Sequence, residues 1–350
     1  MHGAPELDCL PLTLLTGFLG SGKTTLLRRA LSDPAFADTA VVINEVGEIS
    51  IDHYLVDFVE GDVLELPGGC LCCAVREDLA QTLRSLIARR DAGEIRRFRR
   101  LVIETSGLAD PAPILFTLGT DPMLDQRLRL ARVVTLIDAV TGADTIERFP
   151  EAARQVAVAD RLVVTKTDLA PFREMLAAKL AALNAPAERI AGTASLEPAA
   201  ILFEGAACPH PNPLPAAGEG GLGWGHAAAQ HAEHSHGIAT YAVVLDGAIG
   251  RFEFARALGG LAQERGNDLL RVKGLVRFAD RPDRPAVVQA AQHAMFSPEW
   301  LDAWPDDDRR SRLVFIVHDI AAEEILDRFA FAAPVLLGGA THHPHHTVTA

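Results

Sequence analysis

The segment "GFLGSGKT", Gly17 to Thr24, constrains this chain more than any other. It is a complete G-x-x-x-x-G-K-[ST] pattern. It lies between an apolar run, "LPLTLL", and a stretch that puts Leu26, Leu27 and Leu31 on one helical side. A strand, a glycine loop and a helix in that order curl successive backbone N–H groups around an anion, with the positive end of the helix behind them. Gly17, Gly20, Ser21 and Gly22 build the loop. Lys23 is expected to reach the β- and γ-phosphates of a nucleotide, and the Thr24 hydroxyl to ligate magnesium, with Thr25 beside it. A chance glycine turn is the bland alternative, and the intact pattern in its strand-and-helix setting outweighs it.

Further apolar, β-branched runs follow: "AVVINE", "LVIETS", "VVTLIDA" and "RLVVTKTD". Each is separated from the next by enough chain for a helix, which predicts parallel pairing and a three-layer α/β domain with a parallel sheet, placed at 8–200. The 350 residues exceed one ordinary core, so a second domain is expected. Between them, "PHPNPLPAAGEGGLGWG" holds nine Pro or Gly in seventeen residues. Such a stretch buries too little to offset its ordering entropy, and 201–237 reads as a disordered Pro/Gly/His-rich linker. Strands flanked by helices then predict a small α+β domain at 238–333, followed by a loose His-rich tail at 334–350.

Two strand ends add chemistry to the phosphate loop. In "LVIETSGLADP" the Glu104 carboxylate is placed to hold magnesium through water, and Gly107 to meet or lose a γ-phosphate as a switch glycine. In "VVTKTD", Lys166 would lie along a purine ring, and Asp168 would accept from the paired N–H donors that guanine has and adenine lacks. GTPases commonly have Asn where this chain has Thr165, and the shorter side chain is expected to brace the phosphate loop less well. Lys23 and Glu104 are the residues expected to carry turnover. "INEVGEISID" lies between these motifs, and its carboxylates Glu45, Glu48 and Asp52 read by themselves as a solvated loop.

"GGCLCC" packs Cys70, Cys72 and Cys73, three of the five cysteines, into four positions just before a predicted helix. A helix N-terminus favours thiolate, and thiolates select soft or borderline metals, zinc most commonly. A disulfide between neighbours Cys72 and Cys73 would be badly strained, so metal ligation leads redox chemistry and packing. Eight of the thirteen histidines fall in "HAAAQHAEHSH" (226–236) and "HHPHH" (342–346), compositional signs of metal affinity. His226, His231, His234 and His236 are therefore accessory ligand candidates. The formal charge of −13 argues against a general nucleic-acid binder. No apolar run approaches the ~20 residues of a membrane span. "MHGAPELDCLP" lacks the charged and apolar regions of a signal peptide, so a cytoplasmic location is expected.

Taken together, "GFLGSGKTT", "NEVGE", "GGCLCC", "ETSGLADP" and "TKTD", in this order, resemble the CobW-like GTPases, relatives of the HypB and UreG metallochaperones. "LLRVKGLVRFADRPDRPAVVQAAQHAMF" and "WPDDDRRSRLVFIV" look like that family's C-terminal domain. The resemblance implies GTP hydrolysis coupled to metal delivery to a client protein, with C-x-C-C as a metal site beside the switches and Glu45 as a further ligand. Zinc suits the donors best, and cobalt or nickel insertion, as in a cobalamin-type pathway, suits similar ones. A metal- or nucleotide-dependent dimer is compatible with such a cycle. Two other readings compete. A His-rich metal buffer with weak GTPase activity leaves the intact Lys23, Thr24 and Glu104 unexplained. A small-molecule kinase explains neither the cysteines nor Lys166 with Asp168.

Overall fold

Two sheets carry the chain. This computed structural model describes residues 9–44, 63–65, 74–192, 197–203 and 236–337. The first sheet joins seven parallel strands: β1 (Leu10–Gly17), β2 (Thr39–Asn44), β3 (Val63–Glu65), β4 (Arg100–Thr105), β5 (Leu128–Asp138), β6 (Arg161–Thr165) and β7 (Glu188–Ala191). Their order is β3-β2-β4-β1-β5-β6-β7. Helices cover both faces, which is why β1, β4 and β6 read as unbroken apolar runs rather than alternating ones. The helices are α1 (Lys23–Leu31), α2 (Ala74–Asp91), α3 (Ala112–Thr120), α4 (Pro122–Arg127), α5 (Gly142–Arg148), α6 (Pro150–Ala157), α7 (Glu174–Leu183) and α8 (Pro198–Leu202). From β1 the chain skips a place to β2 and β3, returns to put β4 beside β1, and crosses to β5, β6 and β7. Because all pair in parallel, the carboxyl ends of β4, β1, β5 and β6 meet along one edge. In open α/β sheets that edge is where ligands bind.

The second sheet is antiparallel. It contains β8 (Ile238–Leu245), β9 (Leu269–Val276), β10 (Ala286–Ala291), β11 (Ala294–Met295), β12 (Glu299–Trp300), β13 (Ser311–His318) and β14 (Val335–Leu337). Helices α9 (Arg251–Arg265) and α10 (Ala322–Arg328) accompany it. Tyr241, Val243, Val272, Leu313 and Phe315 pack with Phe254, Leu258 and Ile325 of the two helices on one face. On the other, Ile238, Leu270, Ala291, Val314 and Ile316 join the core of the first sheet's helices, where α6 meets β9 and α7 meets β8. Every residue of β10 is buried as a result.

Polar groups cross the same junction. Asp160, between α6 and β6, accepts from Lys273 Nζ at 2.9 Å, Arg271 Nη2 at 3.3 Å and the Val133 backbone N–H at 2.9 Å. Ser297 Oγ donates to Asp125 at 2.7 Å, and Thr240 Oγ1 to the Leu183 carbonyl at 3.2 Å.

Three details differ from the sequence reading. Ile201 and Leu202 are fully buried beside Leu26, Leu27 and Phe36, so ordered chain runs past Ala200 through Phe203. Their apolar side chains fill a gap that the Pro/Gly composition downstream concealed. The run "AVVQAAQHAMF" is a hairpin, β10 and β11, turned at Gln292 with φ 51°. The expected loose tail begins instead with a strand, because "VLL" pairs along β8 from Val335 to Leu337.

Candidate functional site

The phosphate loop is the turn from β1 into α1. Gly17 has φ 142°, and a Cβ there would lie 2.5 Å from the Leu136 carbonyl oxygen, so only glycine fits against β5. Gly20 and Gly22 have φ 75° and 99°. Ser21 is buried, and its Oγ finds no partner among the described residues. The first turn of α1 has no side-chain cap and no acidic residue. Its N–H groups are therefore free of side-chain competitors, as an anion cradle requires. Lys23 is only 8% exposed, and its ammonium folds back over the loop, donating to Gly17 O at 2.7 Å and Phe18 O at 3.4 Å. Thr24 is half-buried and Thr25 exposed on the same turn.

The end of β6 reaches the loop directly. Thr165 Oγ1 donates to Ser21 O at 2.8 Å, with Ile137 O at 3.2 Å. The shorter Thr165 does reach the loop: the Cβ that Gly22 lacks would sit only 3.8 Å from its methyl group, so the approach is close enough for a hydroxyl to span. Lys166 holds the left-handed conformation, φ 56°. Its ammonium donates to Asp138 Oδ2 at 2.6 Å, while Asp138 Oδ1 accepts from the Val140 N–H at 2.7 Å. Burial works to raise the Asp138 pKa, and the bonds from Lys166 and Val140 outweigh it, holding the carboxyl below its usual range. Asp138 is a site residue that the sequence reading missed, although "TLIDA" does place a carboxylate at a strand end. Asp168 is exposed two residues beyond Lys166.

On the other side of β1, Glu104 is 5% exposed near the end of β4. Thr105 Oγ1 donates to Thr16 Oγ1 at 2.8 Å and ties the two strand ends together. Gly107 lies flat on the phosphate loop: a Cβ there would be 2.7 Å from the Leu19 backbone nitrogen. The structure thus brings Lys23, Thr24, Glu104, Gly107, Lys166 and Asp168 to one sheet edge.

Glu45, Cys70, Cys72, Cys73, His226, His231 and His234 lie outside the described residues. In sequence, Glu45 follows the last residue of β2 and Cys73 precedes the first of α2. His236 is described. Its Nε2 sits 2.9 Å from the Ile146 carbonyl oxygen. A carbonyl only accepts, so Nε2 carries the proton there, leaving Nδ1 as the single nitrogen of the neutral ring open to a metal. Among the described residues no group of three His, Cys, Asp or Glu side chains is arranged to hold a metal ion. No helix among them is long and apolar enough to cross a membrane.

A phosphate loop, a buried carboxylate on the adjacent strand and a Thr-Lys-x-Asp turn at one sheet edge are the marks of a phosphate-loop nucleotide-binding protein. Residues 11–191 match the family model "CobW/HypB/UreG, nucleotide-binding domain", and residues 238–333 match "Cobalamin synthesis protein cobW C-terminal domain". The chain belongs to the CobW/HypB/UreG family. It is 35% identical over 334 residues to the zinc chaperone YjiA of Escherichia coli, covering 93% of this chain and 99% of that one. It is 30% identical over 357 residues to the zinc chaperone CobW of Pseudomonas aeruginosa, covering 92% and 91%. The crystal structure of the Zn(II)-bound YjiA GTPase from E. coli superimposes with TM-score 0.66 at 32% identity, covering 93% of this chain and 99% of that one. A triple mutant of that GTPase, with one Glu and two Cys changed to Ala, is likewise Zn(II)-bound (TM-score 0.64, 30% identity, 93% and 99% covered).

Proposed function

We propose that this chain hydrolyses GTP and uses the cycle to deliver zinc to a client protein. The observation that carries the reading is the convergence of the phosphate loop, Gly107 and the Lys166–Asp168 turn on one sheet edge, with Thr165 joining the last to the first. The zinc chaperones among its relatives favour zinc over cobalt or nickel as cargo. The cytoplasm, where thiols stay reduced, is the compartment we assign.

The residues divide the work. The orphan N–H groups of α1 receive phosphate oxygens, and the Lys23 ammonium moves from the Gly17 and Phe18 carbonyls to the β- and γ-phosphates. The Thr24 hydroxyl, and Glu104 through water, are hard oxygen donors that fit magnesium, which supplies neutralisation of phosphate charge. Gly107 is close enough to the loop for its backbone to follow the γ-phosphate. Hydrolysis then releases the Gly107 loop, and the Cys70, Cys72, Cys73 and Glu45 site loosens with it and lets zinc pass on.

Base choice rests on Asp168. GTP is expected to bind at least about tenfold better than ATP, and Asp168→Asn to remove most of that preference, because one guanine-facing acceptor becomes a donor. Competition of ATP against a fluorescent guanine nucleotide measures both. Equal competition in the unmutated chain would sink the guanine assignment.

The coupling itself is tested by linkage. Whatever factor GTP adds to zinc affinity, zinc adds to GTP affinity, typically about 1–3 kcal/mol. Zinc, titrated against a chromophoric chelator, is expected to bind more tightly with a non-hydrolysable GTP analogue and magnesium than with GDP. Cys72→Ala should erase most of the difference. The zinc-bound triple mutant of the relative dictates that the titration resolve the tightest site rather than total zinc. Equal affinities in the two nucleotide states would end the delivery mechanism.

A further inference from the structure

Gln155 is 1% exposed on α6, although helix interiors seldom bury an amide without a use for it. Its Nε2 donates twice, to the Gly107 carbonyl at 3.1 Å and to the Ala109 carbonyl at 3.0 Å. Those two carbonyls flank Leu108, which is exposed. One buried amide therefore spends both its N–H groups on the loop that lies against the Leu19 backbone. The helix is itself fixed at this point, because the Gln155 carbonyl accepts from the buried Thr135 Oγ1 at 2.7 Å. The remaining amide atom, Oε1, is buried without a partner among the described residues, as is Ser21 Oγ of the phosphate loop. Both residues line one small cavity of about 20 Å³, with Phe18 and Asp138 on its wall. Gln155 thus stands between the phosphate loop and the Gly107 loop and belongs to neither.

We infer that Gln155 is a positioning residue for γ-phosphate sensing: it holds the Gly107–Ala109 backbone against the phosphate loop, so that the Gly107 N–H is in place when GTP binds and absent from the contact when GDP does. The inference rests on the GTP reading given above. Its physical basis is the high cost of leaving a buried carbonyl unpaired. Without the two N–H donors, the Gly107 and Ala109 carbonyls turn outward to water, and the loop leaves the Leu19 backbone.

Two variants separate this from a merely structural role. Gln155→Met keeps the bulk of the side chain and removes both donors. Its affinity for a non-hydrolysable GTP analogue is expected to fall about tenfold, with kcat falling at least as much, while GDP affinity changes less than about twofold. Gln155→Glu replaces the donors by acceptors above the carboxyl's pKa, which burial raises. Its analogue-to-GDP affinity ratio should therefore be lowest at high pH and recover partly on acidification, when a protonated carboxyl restores one donor. The ratio in the unmutated chain has no such profile. An unchanged ratio in both variants overturns the inference, and so does an equal loss of GDP and analogue binding. If the unmutated chain binds guanine nucleotides no better than adenine ones, the GTP reading itself has failed, a result distinct from either.

Discussion

With Lys23 replaced by alanine, GTP turnover falls by about 10²–10³-fold or more, the scale on which one preorganised charge donor at a transferring group is felt. The fold survives, because the ammonium's bonds to the Gly17 and Phe18 carbonyls lie within its own loop and the sheet does not hang on them. The flanking strands β4 and β5 keep their ladders with β1, over Leu12–Leu15 and Leu10–Gly17 respectively. Phosphate release measures the loss, and circular dichroism checks the fold. Turnover at the unmutated level would mean that the phosphate loop had been misassigned and that another cation carries the chemistry.

The second large effect is on stability. Asp160→Ala leaves Arg271, whose side chain is 4% exposed, and Lys273, 23% exposed, facing a cavity instead of a carboxylate. Removing one partner of a buried pair costs about 3–5 kcal/mol, and the lower end applies here because Lys273 can turn to water. Urea denaturation of the full chain reads it. The same carboxylate sets a pH dependence. Burial pushes its pKa up, but Lys273 and Arg271 prevail and hold it far below the usual carboxylate range. A depressed folded-state pKa contributes stability that is complete above the unfolded value, about 4, and is lost as pH falls toward the folded one. Acidification below about pH 4 should therefore cost the parent chain this contribution, and Asp160→Ala should lack that part of the slope. A variant as stable as its parent, with the same acid limb, would show that the Asp160 cluster adds nothing to the rest of the junction.

Much of this architecture is legible in the residues. "GFLGSGKT" with its flanks dictates β1, the loop and α1, because the pattern is local in sequence and so is the structure it makes. The strands of the first sheet declare themselves as β-branched runs, since burial on both faces removes any need for alternation. What stays hidden is contact between distant segments. Gln155 in "EAARQVAVAD" reads as one more polar position on an amphipathic helix, and nothing in its neighbours says that it reaches 48 residues back to Gly107. Asp160 reads as a loop carboxylate, its charged partners lying more than a hundred positions on. The short edge strands escape for another reason. "ERIA" alternates half-buried and exposed over four residues, too brief a period to separate from a turn.

The central strands of the second sheet, β9, β10 and β13, have no wet face among the described residues. One side is closed by α9 and α10 and the other by α6, α7 and their neighbours, so Leu270, Ala291, Val314 and Ile316 depend on the nucleotide-binding half for cover. A gene fragment ending before Ile238 would strip that cover away, and one beginning there would inherit the bare surface. The two halves are distinct domains, yet they are not interchangeable parts. A lineage that lost either would have to repaint the other with polar residues, and recombination at the Pro/Gly-rich joint would bring together surfaces that had never been fitted to each other.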